Sequence, residues 1–151
     1  MKVHIQTIDK EKEEQIIIEC HEIREEISEI VNFVKLRDET LECYEDSRIY
    51  QVSLNDIYYI DTVDNKVFVY LEKKVYEIKN KLYELESLYS KRNFFRCSKS
   101  VIVNLMKIEC ITPALNSRFI GKLYNGEEIV ISRKYVHELK EKLKRGQHEI
   151  K

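Results

Sequence analysis

The chain has 151 residues, 43% of them apolar and 35% charged, and a net charge of −1. That length suits one domain, or one domain with a short appendage, and the apolar share is enough for a packed core, so a disordered reading is unnecessary. No apolar run approaches the roughly 18 residues of a membrane span and no signal-peptide core opens the chain, so a cytoplasmic protein is expected.

The first elements expected are two short strands, around Val3, Ile5 and Ile8 and then around Ile16 to Ile18 with Cys20. Ile23, Ile27, Ile30, Val31 and Val34 follow at helical spacing, with Glu22, Glu25 and Glu26 where a helix dipole favours acids. After Asp38 the period shortens to two, and Arg48–Val52 reads as a strand. Asp64-Asn65 separates the β-rich runs Tyr58–Thr62 and Lys66–Leu71, and Glu72-Lys73-Lys74 closes a second hairpin into Val75–Ile78. Leu82, Leu85, Leu88 and Tyr89 return to helical spacing. Further strands are expected from Phe94, through Val101–Val103, to Ile108–Ile111. Asn125-Gly126 reads as a type I′ hairpin turn between Phe119–Tyr124 and Glu127–Ile131. Ser132 reads as the N-cap of a last helix striped by Tyr135, Val136, Leu139 and Leu143, with Gly146 as its C-cap.

Charge divides the same chain. Residues 1–46 hold 6 basic against 14 acidic side chains, whereas Lys91–Arg145 holds 13 against 5. A nucleic-acid or other anionic partner suits the second stretch, although solvated helix faces collect lysines too. Enzyme signatures are lacking: there is no P-loop, no dinucleotide fingerprint, no H-E-x-x-H and no nucleophile elbow. His4, His21, His137 and His148 are isolated, and Cys20, Cys43, Cys97 and Cys110 form no C-x-x-C pair, so reduced thiols, no metal, no cofactor and no catalytic residue are expected.

Two segments carry more information. One is Phe94-Phe95-Arg96-Cys97-Ser98-Lys99-Ser100-Val101-Ile102-Val103-Asn104-Leu105, and the other is Leu123-Tyr124-Asn125-Gly126 through Ile131-Ser132-Arg133-Lys134-Tyr135. In this order, about 20 residues apart and preceded by Ile57-Tyr58-Tyr59-Ile60, they resemble the LytTR DNA-binding domain. The resemblance covers residues 46–146, leaving 1–45 as an N-terminal acidic strand-strand-helix unit and 147–151 as a tail. It implies a mainly β fold of small sheets with short helices, in a bacterial transcription regulator that binds specific double-stranded DNA. Loops, rather than a recognition helix, would enter the major groove.

Carried over by motif position, contacts would come from Arg96, Ser98 and Lys99, from Asn116 and Arg118, and from Arg133 and Lys134. Arg133 has the fork for guanine O6 and N7, and Asn116 the amide for adenine N6 and N7. Lys99, Lys107 and Lys134 suit phosphates, which fix register without reading sequence. Arg96 equally suits a structural bridge between strands through a carboxylate. Members of the family commonly place a histidine where this chain has Ser98, which leaves that base contact open.

The 45 residues before the match are too few for the receiver domain that many members carry, so phosphorylation is not implied. A unit of that size must dock on the β domain or on a second copy, and a homodimer through its helix is the favoured expectation. The alternative function is a non-enzymatic adaptor that binds a regulatory protein partner through the acidic helix. RNA binding is disfavoured because no RNP-like aromatic platform is present.

Overall fold

A computed structural model describes residues 1–37 and 39–150. Helix α1 (Glu25–Arg37) is followed by strands β1 (Thr40–Glu45), β2 (Arg48–Ser53), β3 (Tyr59–Val63), β4 (Lys66–Tyr70) and β5 (Val75–Ile78). Helix α2 (Leu82–Tyr89) then leads to β6 (Phe94–Arg96), β7 (Val101–Asn104), β8 (Ile108–Pro113), β9 (Phe119–Leu123), β10 (Glu128–Ile131) and helix α3 (Arg133–Ile150). Seven strands form one sheet in the order β2-β1-β5-β4-β3-β7-β6, and the other three form a second in the order β10-β9-β8. Every strand pairing is antiparallel.

Local chemistry sets the turns. Register pairs Glu45 with Arg48 and Val63 with Lys66, so each hairpin has a two-residue loop. Asp46 and Ser47 (φ 48° and 66°) and Asp64 and Asn65 (φ 51° and 64°) supply the two positive φ angles that such loops need to match strand twist. The turn at Asn125-Gly126 is of a different type from the one expected. Only Gly126 has positive φ, and the N–H of Leu123 donates to Glu127 O at 2.8 Å, so the loop has three residues and Gly126 forms a bulge. Asn125 instead accepts the N–H of Glu127 on Oδ1 at 3.0 Å.

Two cores result. Leu82 and Leu85 of α2 pack with Leu54, Ile57, Ile60, Val69 and Ile102 of the large sheet and its connections. Phe95, Cys97 and Val103 pack with Leu123, Ile129 and Ile131 of the small sheet and Leu139 of α3. Gly121 keeps this second core close, because a Cβ there would lie 3.2 Å from Ile129 Cγ1. Asn104, the buried polar residue between the cores, donates from Nδ2 to Ile57 O at 2.9 Å and accepts from the Met106 N–H at 3.0 Å. Its place in the Val-Asn-Leu run is therefore structural.

The N-terminal part departs from expectation. Residues 1–24 contain no strand, because neither Val3–Ile8 nor Ile16–Cys20 has a ladder partner among the described residues. The strand-strand-helix unit therefore reduces to an arm that turns at Asp9–Lys12, followed by α1. That helix docks in cis against α3 and the 3-10 turn at Leu54–Asp56. Ile27 is buried there, and Asn55 Nδ2 donates to Phe33 O at 3.1 Å. Strand β1, within the stretch read as the unit's end, pairs with β2 and β5, so the large sheet begins at Thr40. At the other end α3 continues through Gly146, which is no C-cap, and includes 147–150 of the expected tail.

Candidate nucleic-acid interface

Three segments meet at the β6 and β10 ends of the two sheets. Residues 97–100 link β6 to β7, residues 114–118 link β8 to β9, and Ser132 leads into α3. The backbone N–H of Ser132 donates to Cys97 O at 2.8 Å and joins the first segment to the third. Asn116, Arg118, Val130, Ser132 and Arg133 line one open cleft of about 300 Å³, which joins the second to the third. Residues up to 17 positions apart in sequence thus share one concave surface.

Arg96 organises the first loop. Its Nε donates to Ser98 O at 2.7 Å, one Nη to Glu86 Oε2 at 2.9 Å, and the other Nη to Lys99 O. The side chain is only 18% exposed, so all three nitrogens are spent inside the protein. Ser98 turns inward as well, its Oγ accepting from the N–H groups of Ser100 at 3.3 Å and Val101 at 3.1 Å. At the far end of the loop, Thr62 N–H donates to Ser100 O at 2.9 Å. Burial raises the Asp61 carboxyl above its ordinary range, and hydrogen bonds from Ser100 and Thr62 oppose that rise. The loop's one exposed member is Lys99.

Asn116 and Ser117 both adopt φ of 60°, a left-handed pair that lifts Leu115 to the tip of its loop. Arg118, Arg133 and Lys134 are exposed, and the Lys134 ammonium lies 5.3 Å from the Tyr135 ring centroid. Leu115, 85% exposed beside Asn116, was not among the residues expected at the site. Its signal was available: a large aliphatic side chain just past Pro113, with no period-two partner. Lys107 is not brought to this surface. It precedes β8, whose six residues separate it from the 114–118 loop, and stacks over the Tyr58 ring at 4.9 Å.

Loops carrying arginine, lysine and asparagine on a β scaffold define a DNA-binding module of the kind that transcription regulators carry. The LytTr DNA-binding domain family matches residues 47–144, and the chain belongs to that family. The sensory transduction protein LytT of Enterococcus faecalis is 31% identical over 107 residues, covering 71% of this chain and 44% of the relative. The transcriptional regulatory protein YpdB of Escherichia coli is 33% identical over 109 residues, covering 72% and 45%. This chain thus spans less than half the length of those relatives. An uncharacterized HTH-type transcriptional regulator of Staphylococcus aureus, SAS2254, is 29% identical over 145 residues, 95% of this chain and 98% of its own length. The solved LytTr DNA-binding domain from Bacillus cereus superposes with a TM-score of 0.66 at 28% identity, covering 70% of this chain and 97% of that one. These agree with the mainly β, loop-presenting fold expected from the sequence. No helix among the described residues is long and apolar enough to cross a membrane.

Proposed function

We propose that this chain is a cytoplasmic transcription regulator that binds specific double-stranded DNA as a homodimer and acts by binding, not by catalysis. The observation that carries the reading is the cleft shared by Asn116, Arg118, Ser132 and Arg133, joined through Ser132 to the 97–100 loop. Arg133 reads guanine through its fork and Asn116 reads adenine through its amide. Leu115 at the loop tip suits a thymine methyl. Lys99, Arg118 and Lys134 hold phosphates. Arg96 and Ser98 shape the loop that presents Lys99, because their polar atoms serve the loop itself. Lys107, at the opposite end of β8, contributes to the long-range field and not to this surface.

A fluorescence-anisotropy titration tests the reading, with the chain's own promoter duplex against a random duplex at several salt concentrations. About five phosphate contacts give a slope of roughly −4 to −5 in log K against log salt. Equal affinity for both duplexes, or a flat salt response, overturns it.

A further inference from the structure

Two features of the molecule lack partners, and they match each other. The first is the arm before α1. Ile5 is 93% exposed and Ile17 is 70% exposed, with Val3 and Ile16 similarly open. Residues 13–20, Glu-Glu-Gln-Ile-Ile-Ile-Glu-Cys, join three consecutive β-branched residues to flanking acids. That composition favours a strand but has no ladder to join.

The second feature is the outer edge of β8, the last strand of the small sheet. A groove of about 570 Å³ runs along it. Four consecutive β8 residues, Ile108 to Ile111, line the groove, so the strand's backbone edge borders it and not one of its faces. Leu105 and Leu143 line it with apolar side chains, and Lys140, Lys142 and Lys144 of α3 outnumber Glu29 and Glu109 in its charged lining. An open edge of this kind templates strand addition, in which backbone pairing supplies affinity and side-chain pockets supply specificity.

We propose that residues 13–20 of one copy add as a strand to β8 of a second copy, reciprocally, so that arm exchange makes the dimer. Ile16 and Ile18, on one face of the added strand, fill the apolar groove, and Glu13, Glu14 and Glu19 meet its lysines. A second copy is the occupant because Ile16 and Ile17 are 68% and 70% exposed and the arm pairs with no strand of its own body among the described residues. Reciprocal exchange then buries both arms and both grooves across one two-fold axis. This inference rests on the dimeric reading above and adds where the contact lies.

The chain's own cysteines test it. Cys20 ends the added segment and Cys110 lies on β8, both exposed, whereas Cys43 and Cys97 are buried. The full chain is treated with a short bis-maleimide and run on a denaturing gel. A covalent dimer is expected that disappears in both Cys20→Ser and Cys110→Ser. Light scattering should show a dimer for the parent and a monomer for the Ile16→Lys, Ile18→Lys double variant. A link formed within one chain, or a dimer band that survives Cys110→Ser, overturns arm exchange, as does no link at all when both thiols label. If the parent is monomeric both free and on DNA, the dimeric reading falls with it. If the parent is a dimer and the double variant stays one, only the exchange falls. Should the double variant melt early, the cysteine linkage alone decides.

Discussion

The Ser132 N–H donates to Cys97 O at 2.8 Å, so the loop after β6 and the start of α3 move as one piece. Two segments of the candidate interface, distant in sequence, keep their spacing through this bond. Ser132→Pro removes the donor, and Ile131 before it already lies in strand β10, as proline requires of its predecessor. Loss of one hydrogen bond is worth about 0.5–1.5 kcal/mol. Affinity for the specific duplex should therefore fall by roughly two- to tenfold, with binding to random duplex unchanged. Equal losses on both duplexes would show that the bond only stabilises the fold.

Arg96 should behave as a positioning residue. Its partner Glu86 is 44% exposed, so that ion pair contributes only about 0–1 kcal/mol. The bonds to the carbonyls of Ser98 and Lys99 matter more, because they turn two of the loop's oxygens inward. Arg96→Ala should lower stability by about 1–3 kcal/mol and weaken specific binding, yet leave the salt slope unchanged. Glu86→Gln should have a much smaller effect. A salt slope reduced by about one in Arg96→Ala would instead assign Arg96 to a phosphate.

Helix α1 is held in cis by Ile27, buried against the body. Ile27→Asp places a charge in that contact and should lower the unfolding free energy by about 2–4 kcal/mol, read by denaturant melts. Ile23→Asp, at an exposed residue of the expected stripe that lies before α1, should cost less than about 0.5 kcal/mol. Similar costs at both positions would show that the stripe is engaged as a whole.

These contrasts mark where the sequence was legible. Strands β3 to β5 and β9 to β10, with helix α2, follow from local periodicity and turn chemistry, and the structure agrees with the expected runs to within one or two residues. The arm misled because Val3, Ile5 and Ile16 to Ile18 have strand-forming side chains, whereas a strand also requires a neighbour to pair with. Strand β1 was missed although Leu41 and Cys43 alternate with polar residues, because the Asp46-Ser47 turn after it lacks glycine. Gly146 suggested a cap, but the helix continues through it. At the candidate site, residue types were readable and commitments were not. Whether Arg96 points to DNA or inward depends on Glu86, which belongs to a different element.

Burial pushes the Cys97 thiol from its ordinary 9.0 up to about 12, and the Cys43 thiol up to about 11. Folded thiols hold their protons more tightly than unfolded ones, so this contribution to stability is fully present below pH 9.0. It is lost between pH 9.0 and about 12, as the unfolded chain ionises first. Stability should therefore fall on the alkaline side, and Cys43→Ala with Cys97→Ala should flatten the fall. Tyr59, Tyr70 and Tyr89, also raised by burial, leave a residual slope. A thiol reagent at neutral pH should titrate Cys20 and Cys110 at once, and Cys43 and Cys97 only on unfolding. Four equally fast thiols would contradict the buried placement.

Arg133 and Lys134 separate base reading from charge. Both are exposed at the start of α3, but only Arg133 lines the cleft with Asn116 and Arg118. Its guanidinium has the planar fork that matches guanine O6 and N7, and lysine has no such fork. Arg133→Ala should cost about 1–3 kcal/mol on the specific site and relax preference at one base pair. Arg133→Lys keeps the charge and should restore little. Lys134→Ala should weaken all sequences alike and reduce the salt slope by about one. Titrations of the three variants on the parent site and on its single-base changes check each outcome. An Arg133→Ala protein that loses specific and random affinity equally would move Arg133 to the phosphate backbone. A large fall in its melting temperature would give Arg133 a structural role, which its exposed position at the head of α3 argues against.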